Sequence, residues 1–221
     1  ALVTLHLART AEKSRFAIAG RDERKLRDLA ARVYAESGYE PPILVASSED
    51  RASLAAMCRS THVVVACAGP FARLGEPVVA ACVDEKCDYV DITGEPEFVV
   101  EIIRRHDERA RRDGVRLVPC CGFDCVPADL GVWVVMDALR PTGPVSVESF
   151  VHINWDVSGG TWQTTLDVMS RSDPLRTPEL PPAAPRGRAV HVSRARPRFE
   201  PEVSGWLLPA PTIDPGGAGD Q

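Results

Sequence analysis

The chain has 221 residues, 44% hydrophobic and 26% charged, the composition of an ordinary globular protein with length for one large core or for a domain and part of another. A formal net charge of -5 excludes the broad basic footprint of a nucleic-acid binder, although Arg-rich local faces remain. No apolar run reaches the about 20 residues a transmembrane helix needs, so the residues read as those of a soluble chain.

From the first residue, "ALVTLHLARTA" sets Leu2, Leu5 and Leu7 on a helical pattern that opens without a capping residue, as a cut end would. "RFAIAGRDERKLRDLAARVYAES" predicts a short strand through Ala19, a turn at Gly20-Arg21 and an amphipathic helix. Asp22 is its expected N-cap, and Leu26, Leu29 and Val33 form its apolar stripe. The unit then repeats. "PPILVAS" and "THVVVACAG" predict strands, each followed by a helix, in "SEDRASLAAMCRS" and "GEPVVAACVDEK". "DYVDITG" leads into the helix "EPEFVVEIIRRHDERARRDG", and "VRLVPCCG" into "VPADLGVWVVMDAL". Alternating strands and helices imply an α/β fold, a doubly wound parallel sheet with right-handed crossovers.

Val63, Val64 and Val65 make a run apolar on both faces, as a parallel strand covered by helices on each side requires. Gly69 and Pro70 end it, because proline has no N–H for a ladder. Beyond Pro144 the pattern changes. "VSVESFVHINW" alternates as a half-buried strand would, and "SGGTWQTTLDVMS" predicts a Gly-rich turn entering a helix. "SDPLRTPELPPAAPRGR" is a Pro-rich loop by composition, and "PTIDPGGAGDQ" an expected mobile tail. The expected division is residues 1–143 as one domain and 144–221 as part of a second, α+β domain.

In such a sheet the strand-to-helix turns gather along one edge, where ligands bind. Here those turns, "AGRDERK", "CAGPFARLGEP", "DITGEPE" and "CCGFDCVPAD", all contain glycine. In a dinucleotide fold the end of the second strand faces the adenosine ribose, where an acid binds a free 2′-hydroxyl and a basic residue receives a 2′-phosphate. Gly20 and Arg21 occupy that point, with Arg24 and Lys25 on the next helical turn, which favours NADP; Asp22 and Glu23 keep NAD open. Asp91, Glu95, Cys121 and Asp124 also fall near the edge, any of them able to orient a substrate or donate a proton. No catalytic residue is readable among them, because Asp91 and Asp124 suit capping equally well. His106, in "RRHDERARRD", reads as part of a solvated helix face.

Seven cysteines scattered over predicted strands and helices are not a secreted disulfide framework and point to a reducing intracellular compartment. Cys120, Cys121 and Cys125, and the pair Cys82 and Cys87, lack the knuckle spacing of zinc sites, so buried thiols without metal are expected.

The blocks "AGRDERKL", "ACAGPFARLGEPVVAACVDEKCDYVDITGE" and "GVRLVPCCGFDCVPADLG" resemble, in order and spacing, the saccharopine dehydrogenase-like oxidoreductases, a group that includes trans-acting enoyl reductases. The resemblance runs from Ala1 to about Gly160 and continues faintly at "LPAPTIDP". It implies an NAD(P)-binding Rossmann domain followed by an α+β domain, hydride transfer to an acyl or enoyl lipid, and an association with lipid droplets or mitochondria beside a cytoplasmic location. By the same resemblance Ala68, Gly69, Pro70 and Phe71 form the turn beneath the nicotinamide, with Phe71 either an apolar wall or a packed aromatic. Family members begin with a strand and a Gly-rich phosphate turn that these residues do not include. The expectation is therefore a sheet lacking its first strand, whose neighbours "RFAIA" and "THVVVA" lose the partner between them, and a shortened second domain. Partners so implied are a small-molecule or lipid substrate, with peripheral lipid contact and self-association left open. A non-catalytic lipid-associated or regulatory scaffold, or an inactive truncation product, is the alternative.

Overall fold

A computed structural model describes residues 1–10, 16–123, 125–151, 162, 166 and 196–207. Helix α1, Leu2–Thr10, lies against α2, Glu23–Ser37, and Arg9 reaches Glu36 at 2.7 Å. Asp22 starts α2 by accepting a hydrogen bond from the Lys25 amide at 3.1 Å, as its position in the sequence predicts. Gly38 ends the helix at φ 71°, a left-handed conformation that glycine adopts without strain. Leu26, Ala30 and Val33 are the buried stripe.

Strand β1, Ile18–Gly20, pairs in parallel with β2, Ile43–Val45. Helix α3, Arg51–Arg59, capped by the Asp50 carboxylate, then crosses to a second parallel sheet. That sheet has the order β3, Val63–Ala66, then β4, Asp88–Asp91, then β5, Leu117–Val118. A short helix α4, Phe71–Leu74, and α5, Glu76–Asp84, connect β3 to β4, and α6, Pro96–Asp113, connects β4 to β5. The five strands are thus parallel with helical crossovers, a Rossmann-like α/β layout. Among the described residues β1 and β3 share no ladder, and each keeps an open edge.

The core lies on one face of the three-stranded sheet. Leu54, Met57 and Cys58 of α3, Val79, Cys82 and Val83 of α5, and Phe98 and Ile102 of α6 close over Tyr89, with Val64, Ala66 and Leu117 packed beside it. On the alternate positions Val63, Val65 and Val118 remain 44%, 48% and 47% exposed. Among the described residues the three crossover helices cover one face of the valine run, and no described helix covers the other. Helix α7, Val126–Leu139, does not cover it, since none of its residues is buried and Leu130, Trp133, Val134, Val135 and Leu139 are exposed. No helix of the described residues is long and apolar enough to cross a membrane.

The half-buried strand expected in "VSVESFVHINW" is absent from its described part. Residues 145–151 have no regular structure, and Val145, Val147 and Phe150 are exposed. An antiparallel hairpin follows, β6, Arg198–Glu200, and β7, Gly205–Leu207, joined by the 3-10 turn Pro201–Val203. Arg198 of this hairpin binds Glu148 at 2.9 Å and stands 5.9 Å from the Phe150 ring centroid. The predicted Pro-rich loop and the tail lie outside the described residues, as does the predicted helix near 161–170 apart from Trp162 and Leu166, both helical.

Candidate functional site

Register brings three strand ends together. Ala66 sits opposite Asp91 and Val90 opposite Val118, so the segments after β3, β4 and β5 leave the sheet on one edge. Asp91 ties two of them. Its Oδ1 accepts from the Thr93 amide at 2.9 Å and the Cys120 amide at 3.0 Å, while its carbonyl accepts from the Cys121 amide at 2.7 Å. Thr93 Oγ1 in turn accepts from the Glu95 amide at 3.1 Å. Glu95 reaches the third segment, its two carboxylate oxygens accepting from the amides of Phe71 at 2.7 Å and Ala72 at 2.9 Å. A carboxylate at a helix start satisfies amides that have no partner within the helix. Asp91, Thr93 and Glu95 are 0%, 0% and 2% exposed, so this brace is an internal one.

Burial pushes the Asp91 carboxyl above its usual range, against the amides of Thr93 and Cys120 and the Tyr89 side chain, which favour the ionised form. Tyr89 and Asp91 interact without good hydrogen-bond geometry, so the Tyr89 hydroxyl and Asp91 Oδ2 are both left unsatisfied. Burial, and then the Asp91 charge, also raises the Cys121 thiol; burial raises Cys67, where Asp91 adds to the effect. Both thiols are held protonated at neutral pH and are poor nucleophiles. Cys120, at φ 62°, is a non-glycine residue in the left-handed region, a local strain at the turn that Asp91 grips.

The sequence-predicted residues fall into two groups. Ala68, Gly69, Pro70 and Phe71 join Asp91, Glu95 and Cys121 at the edge of the three-stranded sheet, with Ala68 and Gly69 exposed and the Gly69-Pro70 peptide cis. Gly20, Arg21 and Lys25 stand at the end of β1, in the other sheet, with Arg21 and Lys25 exposed. Lys25 Nζ lies 3.8 Å from Asp22 Oδ2. The Lys25 amide, and to a smaller degree the charges of Lys25 and Arg24, hold the Asp22 carboxyl below its usual value. The Phe71 side chain is a packed aromatic, 6% exposed and 5.8 Å from the Phe98 ring. Asp124 lies outside the described residues.

His106 differs from expectation. Its side chain is 13% exposed and bonds Glu76 at 3.0 Å, so it fastens α6 to α5 instead of facing solvent. Thr93 and Tyr89 were missed by reading the sequence. The signal for Thr93 was present: Asp91, Thr93 and Glu95 continue the period-two alternation past the end of β4, three polar side chains on positions that a strand would bury.

A parallel α/β layer whose strand ends are braced into one edge is the frame of a dinucleotide-binding domain. The sequence profile of the saccharopine dehydrogenase NADP binding domain matches residues 1–118. The chain belongs to the saccharopine dehydrogenase-like oxidoreductase family. It is 34% identical over 217 residues to a lipid droplet localized protein of Caenorhabditis elegans, covering 90% of this chain and 50% of the relative. To a saccharopine dehydrogenase-like oxidoreductase of Mus musculus it is 33% identical over 161 residues, 68% of this chain and 37% of the relative. To a trans-acting enoyl reductase of Mycobacterium leprae it is 38% identical over 132 residues, 60% and 31% respectively. Among solved structures, apo saccharopine dehydrogenase (L-Glu forming) from Saccharomyces cerevisiae aligns with a TM-score of 0.49 at 16% identity, over 63% of this chain and 28% of that one. The chain thus spans half the length of the first of these relatives and less of the others.

Proposed function

We propose that this chain supplies the NADP-binding face of an oxidoreductase that moves a hydride between the nicotinamide and an acyl or enoyl lipid. The observation that carries the reading is the braced turn Ala68-Gly69-Pro70 at the edge of a family NADP-binding domain. Its two exposed residues leave backbone within reach of a ligand, while Glu95 fixes the chain just behind it. Gly69 has a negative or extended φ, and a Cβ there would meet Phe71 at an ordinary 3.5 Å. The fold itself does not demand glycine at this position, which leaves close approach of a ligand as its use. At the other end Arg21 faces solvent beside Arg24 and Lys25, a group of cations suited to a 2′-phosphate. Gly20 is equally unforced by its backbone, its nearest neighbour being Leu26 at 3.5 Å from a built Cβ.

The hydride is the cofactor's chemistry; the residues named here bind and orient it. The substrate class follows the names of the enoyl reductase and lipid droplet relatives. The test is titration of the chain with NADPH and NADH, followed by nicotinamide fluorescence, and then turnover of an enoyl thioester with the tighter cofactor. Saturable binding with NADPH preferred supports the reading. Preference for NADH, or no binding of either, overturns it.

A second reading, a non-catalytic scaffold on a lipid surface, is favoured by α7, whose exposed Leu130, Trp133, Val134, Val135 and Leu139 form an apolar helix without a covering element among the described residues. Flotation with phospholipid-coated oil droplets separates the two: droplet binding lost in Trp133→Asp and unaffected by NADPH favours the scaffold. Fractionation of cells between lipid droplets and mitochondria places either activity.

A further inference from the structure

Away from the strand ends, three thiols meet in the core. Cys58 is on α3, Cys82 on α5, and Cys87 immediately precedes β4; they are 1%, 0% and 1% exposed. Their sulfurs all lie within 4.8 Å of one another, and Cys58 Sγ is 3.7 Å from Cys82 Sγ. Cys87 Sγ also lies 3.4 Å from the Asp88 carbonyl oxygen. A metal–sulfur bond of about 2.3 Å in a planar three-coordinate arrangement sets the sulfurs about 4 Å apart. The triangle already present is close to that size.

We infer that Cys58, Cys82 and Cys87 form a three-sulfur site for a soft, closed-shell monovalent cation of the copper(I) class. Sulfur donors select soft ions, whereas calcium and magnesium require six or more oxygen ligands. Structural zinc takes four protein donors in a closed tetrahedron, and among the described residues this group has three. Each sulfur that bonds the ion does so as a thiolate, its S–H bond breaking and its proton passing to solvent as the metal–sulfur bond forms, so uptake releases protons and weakens as pH falls. No electron transfer is involved. The site shares no residue with the braced strand ends and stands independently of the proposed activity. Spacing alone did not reveal it, because Cys58 lies 24 residues before Cys82 and is delivered by α3 packing on α5.

The test titrates the reduced, metal-free chain anaerobically with copper(I) held by bicinchoninate. One ion per chain is expected to leave the chelator, with X-ray absorption showing sulfur neighbours and no nitrogen or oxygen. A chain in which Cys67, Cys120, Cys121 and Cys125 are all replaced by serine keeps this uptake, and Cys58→Ser and Cys82→Ser each lose it. Circular dichroism separates lost binding from lost fold, and the absorption spectrum of the unsubstituted chain tests the site without any variant. Uptake that disappears in the four-serine chain, that persists in a folded Cys58→Ser or Cys82→Ser chain, or that is accompanied by nitrogen or oxygen ligands overturns the inference. So does zinc held more tightly than copper(I) under the same competition.

Discussion

Glu95 holds the start of the Phe71 helix from 24 residues away, its carboxylate straddling the amides of Phe71 and Ala72 at 2.7 and 2.9 Å. The side chain is 2% exposed and both of its oxygens are engaged, so Glu95 is a structural acceptor and not the proton donor that its position near the edge suggests. Glu95→Ala leaves both amides without this partner, at about 1–3 kcal/mol for each one that stays buried. Glu95→Gln keeps one acceptor and costs less. Urea unfolding midpoints should fall in the order wild type, Gln, Ala; an Ala midpoint equal to wild type would show that the brace contributes nothing.

Asp91 gives a pH dependence of definite sign. Its folded pKa is raised above the ordinary 3.8 by burial, so its contribution to stability is full below the unfolded value and is lost as pH rises through the folded one. Asp84 and Asp88 act oppositely. Arg51 and Arg109 lower the first, Arg116 lowers the second, and their contributions are lost as pH falls through the depressed folded values. Both are largely exposed pairs, so solvent screening keeps their share small. Asp91→Asn still accepts from Thr93 and Cys120 and can donate toward Tyr89. The variant should unfold at a higher denaturant concentration than wild type at neutral pH and lose that advantage in acid; the same difference at every pH would contradict the assignment.

Two glycines should behave oppositely. A Cβ on Gly75 would overlap the Phe98 ring, with Cε2 at 2.6 Å, and the Phe71 carbonyl oxygen at 2.8 Å. Gly75→Ala is therefore expected to lose about 1–3 kcal/mol through overpacking between α4 and α6. Gly69→Ala should melt like wild type yet bind NADPH more weakly, because the methyl group occupies the approach to the turn. Unchanged NADPH affinity in a folded Gly69→Ala chain would remove Gly69 from the cofactor site.

Arg21→Asp would put a carboxylate, a like charge to phosphate, where the proposed function needs a bidentate phosphate donor at the end of β1. NADPH binding should weaken by several-fold more than NADH binding. Equal losses, measured by fluorescence titration of both cofactors, would place the 2′-phosphate elsewhere.

The crossover units were legible because their signals are local. Asp22 announces α2, Gly38 and Gly114 close α2 and α6 at φ 71° and 74°, and the apolar periods between them survive folding unchanged. The site was legible only as a place. That Glu95 braces Phe71, or that Asp91 grips Cys120, depends on partners 24 and 29 residues apart that no window of sequence contains. Phe71 shows the same limit: an aromatic after Gly-Pro suits a pocket wall or a core equally, and only Phe98 across α6 decides it. The strand expected in "VSVESFVHINW" does not form in its described residues 145–151, since alternation sets which side chains share a face but supplies no ladder partner.

The separation of β1 from β3 has a consequence for cooperativity. Ile18, Leu26 and Ala30 form a small apolar cluster of their own, and among the described residues no ladder joins the two sheets, while Leu44 of β2 and Ala46 just after it pack with the larger cluster over Tyr89. β1 rests on the smaller cluster, so its amides should exchange with solvent faster than those of β4. A dinucleotide that touches Arg21 at one end and the Gly69 turn at the other would add a tie between the two sheets, and slowed exchange in β1 on its addition would report that coupling directly.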